Sequence, residues 1–125
     1  MKLVVVSGRK SFDKFKTTIR RVAGFLAKRL KQEKTYLEVY LVGKEFMYKN
    51  VLAFPAPKGF PRPDIKLKPL GEIYLNPQYI KENGEDLTVM LIHGLLHLLG
   101  YDHKKNNDRM RMEKRERQLM KLLSH

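Results

Sequence analysis

The chain has 125 residues, with 26 Lys and Arg against 13 Asp and Glu for a formal charge of +13, and no cysteine. That length fits one domain with a real core and not two; the missing thiols exclude disulfides and thiolate metal sites and agree with a reducing cytoplasm; so positive a field suits a polyanionic partner such as nucleic acid. The apolar run Leu3–Val6 is too short for a secretion signal, and the longest apolar stretch, Leu87 to Leu99, is too short and too interrupted by histidine to span a bilayer, so no membrane partner is expected.

Met1 to Arg9 reads as a first strand. Phe12, Phe15, Ile19, Val22, Leu26 and Leu30 recur every three or four residues, which predicts an amphipathic helix from Ser11 to about Lys31, capped by Ser11 and with Asp13 in its first turn. Its outer face is basic and reads as solvated surface. Thr35 to Val42 alternates, with Leu37, Val39 and Leu41 on one side and Tyr36, Glu38 and Tyr40 on the other, the pattern of a strand with one buried face. A short helix is expected at Lys44 to Tyr48, then strands at about Val51 to Phe54 and Gly71 to Leu75. The four prolines between Pro55 and Pro63 forbid ladder pairing, so this segment should be a loop at a cleft. There Lys58, Arg62, Lys66 and Lys68 offer charge to phosphates and Phe60 a ring for a stacked base, against the plainer reading of an inert surface excursion.

Chemistry concentrates further on, in the block HGLLHLLGYDH, which puts His93, His97 and His103 within eleven residues. On a helix, positions i and i+4 share a face, so His93 and His97 can present two imidazoles to one ion. Gly100 is the expected helix stop, since glycine enters the left-handed conformation without penalty. The chain can then return His103 as a third ligand. Three neutral imidazoles with an open fourth position describe a catalytic zinc site, one Zn2+ per chain. The helix that carries them is apolar nearly all round, which marks a buried element, where unpartnered imidazoles would be costly. The spacing overlays the peptidase pattern H-E-x-x-H-x-x-G-x-x-H, yet Gly94 stands where a peptidase keeps its general base. Peptide hydrolysis is therefore disfavoured, and a zinc-activated water with a cationic surface points to phosphodiester cleavage instead. Asn106 to Leu123 is expected as a last helix anchored by Met112, Leu119, Leu122 and Leu123.

The same block resembles the signature of the YbeY family, single-strand-specific metallo-endoribonucleases of bacterial ribosomal RNA maturation. The likeness extends upstream through Asn50-Val51-Leu52-Ala53-Phe54-Pro55 and Leu70-Gly71-Glu72-Ile73, so it covers roughly residues 36 to 123. By this resemblance the zinc ligands are His93, His97 and His103, the substrate is single-stranded RNA of ribosomal origin, and the place of work is the cytoplasm, with ribosomal or ribosome-assembly proteins as partners. Lys49 stands where the family's functional arginine is expected, a point charge in place of a planar fork. Ala53 and Glu72 replace a serine and an aspartate of the family pattern.

The whole reads as a single α+β domain over residues 1–125, a small mixed sheet packed with helices around the central histidine helix. The expected activity is zinc-dependent cleavage of single-stranded RNA in ribosomal RNA processing and ribosome quality control. Lys49 and Asp102 are the candidate catalytic residues, Asp102 beside a ligand as a proton-handling group or, more plainly, as a turn residue. The alternatives are a non-catalytic RNA-binding assembly module with a structural metal and a metallopeptidase relative. His125, at the chain's end, is not counted among the ligands.

Overall fold

In the computed structural model, which describes residues 1–57, 66–102 and 104–124, the period-two segments pair into one sheet. Its strands among the described residues are β1 (Lys2–Ser7), β2 (Thr35–Leu41), β3 (Val51–Pro55) and β4 (Lys68–Leu75), in the order β1-β2-β4-β3. β1, β2 and β4 are parallel, and β3 returns antiparallel on β4 with Val51 opposite Leu75 and Ala53 opposite Ile73. The helices are α1 (Lys16–Arg29), α2 (Pro77–Glu82), α3 (Leu87–Leu98) and α4 (Asn106–Leu123).

One face of the sheet makes the core. Leu37, Val39 and Leu41 of β2 and Ile73 and Leu75 of β4 are fully buried against Ile19, Val22 and Leu26 of α1, Leu91, Ile92, Leu95 and Leu96 of α3, and Met112 and Leu119 of α4. α3 packs on β3 and β4 and is also in contact with α1 and α4, which is why its sequence is apolar on more than one side. The α+β architecture and the mixed sheet expected from the sequence are both present.

Four local expectations differ, the first being that Pro55, expected outside the ladder, is the last residue of β3 and pairs with Gly71 at the sheet's edge strand. Ser11 caps no α-helix: Lys10–Phe15 forms a 3-10 helix and α1 begins at Lys16, with Phe15 at its N-cap and no side-chain cap bond. At three residues per turn Phe12 and Phe15 eclipse on one side, their ring centroids 6.4 Å apart, and Phe12 enters the core before α1 starts. Lys44 to Tyr48 makes a turn rather than a helix. Gly43 O accepts from Phe46 and Met47 N–H, and the Met47 carbonyl is taken at 2.8 Å by the Asn76 amide, which diverts the chain toward β3. Finally, β4 starts three residues earlier than expected, at Lys68 rather than Gly71, so Lys68 is a strand residue.

The opposite face of the sheet carries tyrosines and carboxylates in register. Tyr36 and Tyr40 each donate to Glu38 at 2.8 Å, Tyr74 donates to Glu72 at 2.9 Å, and the Tyr40 and Tyr74 rings stack with centroids 4.9 Å apart. Donation to Glu38, helped by partial burial and the negative charge nearby, pushes the Tyr40 hydroxyl up to about 12, and Glu72 raises Tyr74 in the same way. A raised folded-state pKa favours the neutral phenol, so this contribution to stability is complete below the ordinary tyrosine pKa and is lost as pH climbs through the raised value. Ultraviolet titration of the native protein should show Tyr40 and Tyr74 ionising above the ordinary tyrosine range, with Glu38→Gln returning Tyr40 toward it; ordinary titration of Tyr40 and Tyr74 would contradict the pairing.

Candidate metal centre

α3 starts where Asp86 caps it, its Oδ1 accepting from Thr88 N–H at 2.7 Å and Val89 N–H at 3.1 Å. It ends at the predicted stop: Gly100 lies at φ +99°, and Tyr101 N–H donates back to Leu96 O at 3.0 Å. Between these ends His93 and His97 lie one turn apart on the same side, ring centroids 5.1 Å apart and edge to face. Both line a cavity of about 680 Å³ together with Gly94, the stretch Lys49 to Ala53, and Tyr79, Asn83 and Glu85.

The cavity-lining stretch from Lys49 is held by Asn76, which is wholly buried. Its side chain caps α2 by accepting from Tyr79 N–H at 3.1 Å, it donates to Met47 O, and its backbone N–H donates to Asn50 O at 3.1 Å. Asn50 in turn donates to Glu85 at 3.0 Å and accepts from Val51 N–H at 2.7 Å. Lys49 thereby lines the same cavity as His93 and His97. α2 and Asn76 were not anticipated, although Asn-Pro at a helix start is a readable cap signal.

Gly94 has a structural reason. A β-carbon there would lie 3.0 Å from Ile73 Cγ2 and 3.3 Å from Val51 Cγ2, because α3 presses on β3 and β4 at this point. Any larger residue in this position requires the Ile73 and Val51 side chains to give by a few tenths of an ångström.

The sequence reading also missed Glu116, on α4, whose Oε1 lies 2.7 Å from His93 Nδ1. A signal was present: Glu116 shares the inward stripe with buried Met112 and Leu119, an acidic residue where the helix is otherwise apolar. Nδ1–H donating to a carboxylate leaves the His93 lone pair at Nε2, and with His97 one turn away the two imidazoles fit a borderline metal ion such as zinc in donor type and spacing.

The remaining candidates scatter. Asp102 accepts from Lys104 N–H at 3.1 Å and lines a separate hollow with Asp108 and Arg111, not the cavity of His93 and His97. Exposed Lys66 precedes β4 and exposed Lys68 is its first residue; Lys68 is five residues, roughly 16 Å of extended chain, from Ile73, which pairs with cavity-lining Ala53. Glu72 is on the tyrosine face rather than in the cavity. His103, Lys58, Phe60, Arg62 and His125 lie outside the described residues.

The family model described as Endoribonuclease YbeY matches residues 7–124. The chain belongs to the YbeY family. It is 36% identical over 75 residues to the Endoribonuclease YbeY of a Sulfurovum species, covering 54% of this chain and 51% of that one. With the YbeY endoribonuclease of Blochmanniella floridana the identity is 34% over 102 residues, 75% of this chain and 64% of the relative. The aligned region thus spans about half the length of the first of these relatives. The solution structure of TM1509 from Thermotoga maritima superposes with a TM-score of 0.59 at 21% identity, covering 94% of this chain and 85% of that one, and so shares the fold.

Proposed function

We propose that this chain is a zinc-dependent endoribonuclease that cleaves single-stranded RNA, with ribosomal RNA as the substrate of its processing and quality-control work in the cytoplasm and ribosomal or assembly proteins as partners. The observation that carries this reading is the shared cavity of His93, His97 and Lys49, in a chain whose family is described as endoribonucleases. Zinc held by His93, His97 and His103 would supply a Lewis acid and lower the pKa of bound water to about 7. The chain's own groups do the rest. The Lys49 ammonium offsets charge that develops on the phosphate, a task that needs no bidentate geometry. Lys and Arg outnumbering the acids twofold supply the field that draws in a polyanion. Asp102 serves the turn that leads to His103 and, in this reading, proton handling beside that ligand. Gly94 speaks against a peptidase, since it carries no carboxylate at the place of that enzyme's base.

The test is incubation of metal-analysed protein with end-labelled single- and double-stranded RNA, followed by mapping of the products. Internal cleavage of the single strand is expected. Tight binding without cleavage at full zinc content would instead favour an RNA-binding assembly module with a structural metal. In the same assay Lys49→Ala should lose cleavage by about 10²-fold, the usual cost of removing one charge-stabilising group, while Lys49→Arg keeps much of it. Equal rates for parent and Lys49→Ala at matched zinc content would remove Lys49 from the mechanism.

A further inference from the structure

We propose that Glu116 is a positioning residue for the metal centre: it selects the nitrogen that His93 offers and couples α3 to α4 across the segment that contains His103. The inference deepens the zinc reading above and rests on it. His93 Nδ1 and Glu116 Oε1 are 2.7 Å apart, and their side chains are 30% and 17% exposed, so the bond is partly shielded from water.

A carboxylate at this position is not explained by packing. Met112, Glu116 and Leu119 follow one another on the inner stripe of α4, and the first and last of them are buried in the core. An apolar residue there would extend that core without the desolvation cost of a charge. What the carboxylate adds is direction. Accepting Nδ1–H, it fixes the imidazole tautomer with its lone pair at Nε2, restrains rotation of the ring, and increases the basicity of the ligating nitrogen.

The chain path gives the bond a second consequence. α3 ends at Leu98 and α4 begins at Asn106, so the connection between the two helices contains His103. A link between His93 and Glu116 ties together the elements on either side of that connection. Loss of the link therefore affects both the orientation of one imidazole and the tie between α3 and α4.

Glu116→Gln and Glu116→Ala separate this role from a merely structural ion pair. Zinc affinity is measured by competition with a chelator, thermal stability on the metal-free proteins, and the His93 tautomer by long-range nitrogen–proton correlation in metal-free protein at mildly alkaline pH. The parent should show Nδ1–H at His93. Glu116→Ala should shift the tautomer toward Nε2–H and weaken zinc binding by about 10–100-fold, the range for losing such an outer partner. Near-isosteric Glu116→Gln keeps an acceptor oxygen, so it should retain the Nδ1–H tautomer and lose less affinity, and it remains informative if the Ala variant folds poorly. Unchanged zinc affinity in a folded Glu116→Ala protein, or an Nε2–H tautomer in the parent, would overturn the proposal. A parent with the Nδ1–H tautomer but no zinc affinity would overturn the metal-centre reading itself and leave Glu116 as a helix-to-helix pair.

Discussion

His93→Ala, His97→Ala and His103→Ala should each emerge from purification without zinc and without RNA cleavage, whereas His125→Ala should keep both. The reasoning is coordination chemistry. Two remaining imidazoles hold a metal poorly, and each must also be neutral and oriented, so removing any one of three ligands forfeits most of the binding energy. Loss of an outer partner alone costs about 10–100-fold in affinity or activity, and loss of a ligand must exceed that. His93→Ala has an added cost, because it leaves the partly buried Glu116 carboxylate without the Nδ1–H donor it now accepts. Elemental analysis and the end-labelled RNA assay read the two quantities separately. Full metal content in the three variants would refute the ligand assignment. Metal lost with cleavage retained would detach the reaction from the ion.

The largest effect on stability is expected at Gly71. It lies in β4 at φ +137°, opposite Pro55, and a β-carbon there would lie 2.1 Å from Phe54 O and 2.9 Å from Pro55 Cα. Both obstacles are backbone of the paired strand, so no side chain can swing aside. Strain from the φ value alone costs about 1–3 kcal/mol. Relieving the clash means separating β3 from β4, so the total for Gly71→Ala should reach about 3–5 kcal/mol, a large part of the 5–15 kcal/mol typical of a domain. At roughly 4 °C per kcal/mol, Tm should fall by more than about 10 °C. Gly84 supplies the comparison. It has φ +65°, but a β-carbon added there would meet nothing within 4 Å, so Gly84→Ala should incur only the conformational cost. Equal thermal melts for the two variants would show that the β3–β4 approach is looser than the geometry implies. Because β3 carries Val51, Leu52 and Ala53 into the cavity, Gly71→Ala should also impair whatever the cavity binds.

What could be read in advance was local. The alternation in Thr35–Leu41, the apolar run of α3, the glycine stop at Gly100 and the stripe of α4 depend on residues within a few positions of one another, and periodicity and capping report such interactions directly. The same is true of His93 and His97, whose shared face follows from helix geometry. Even local signals were misjudged where packing overrode them. Ser11 had the right chemistry for a cap, but burying Phe12 favoured a 3-10 turn and delayed α1 to Lys16.

By itself, then, the amino-acid order determined the family likeness, the α+β composition of the chain and the histidine spacing that brings two imidazoles to one helix face. Tertiary structure decided the strand order, the closing of the cavity through the Asn76 contacts with Met47 and Asn50, the close approach of α3 at Gly94 to Ile73 and Val51, and the pairing of His93 with Glu116. These contacts join residues 21 to 43 positions apart, from Ile73 and Gly94 to Val51 and Gly94. Their energies depend on which faces meet after collapse, and no periodicity along the chain encodes that meeting.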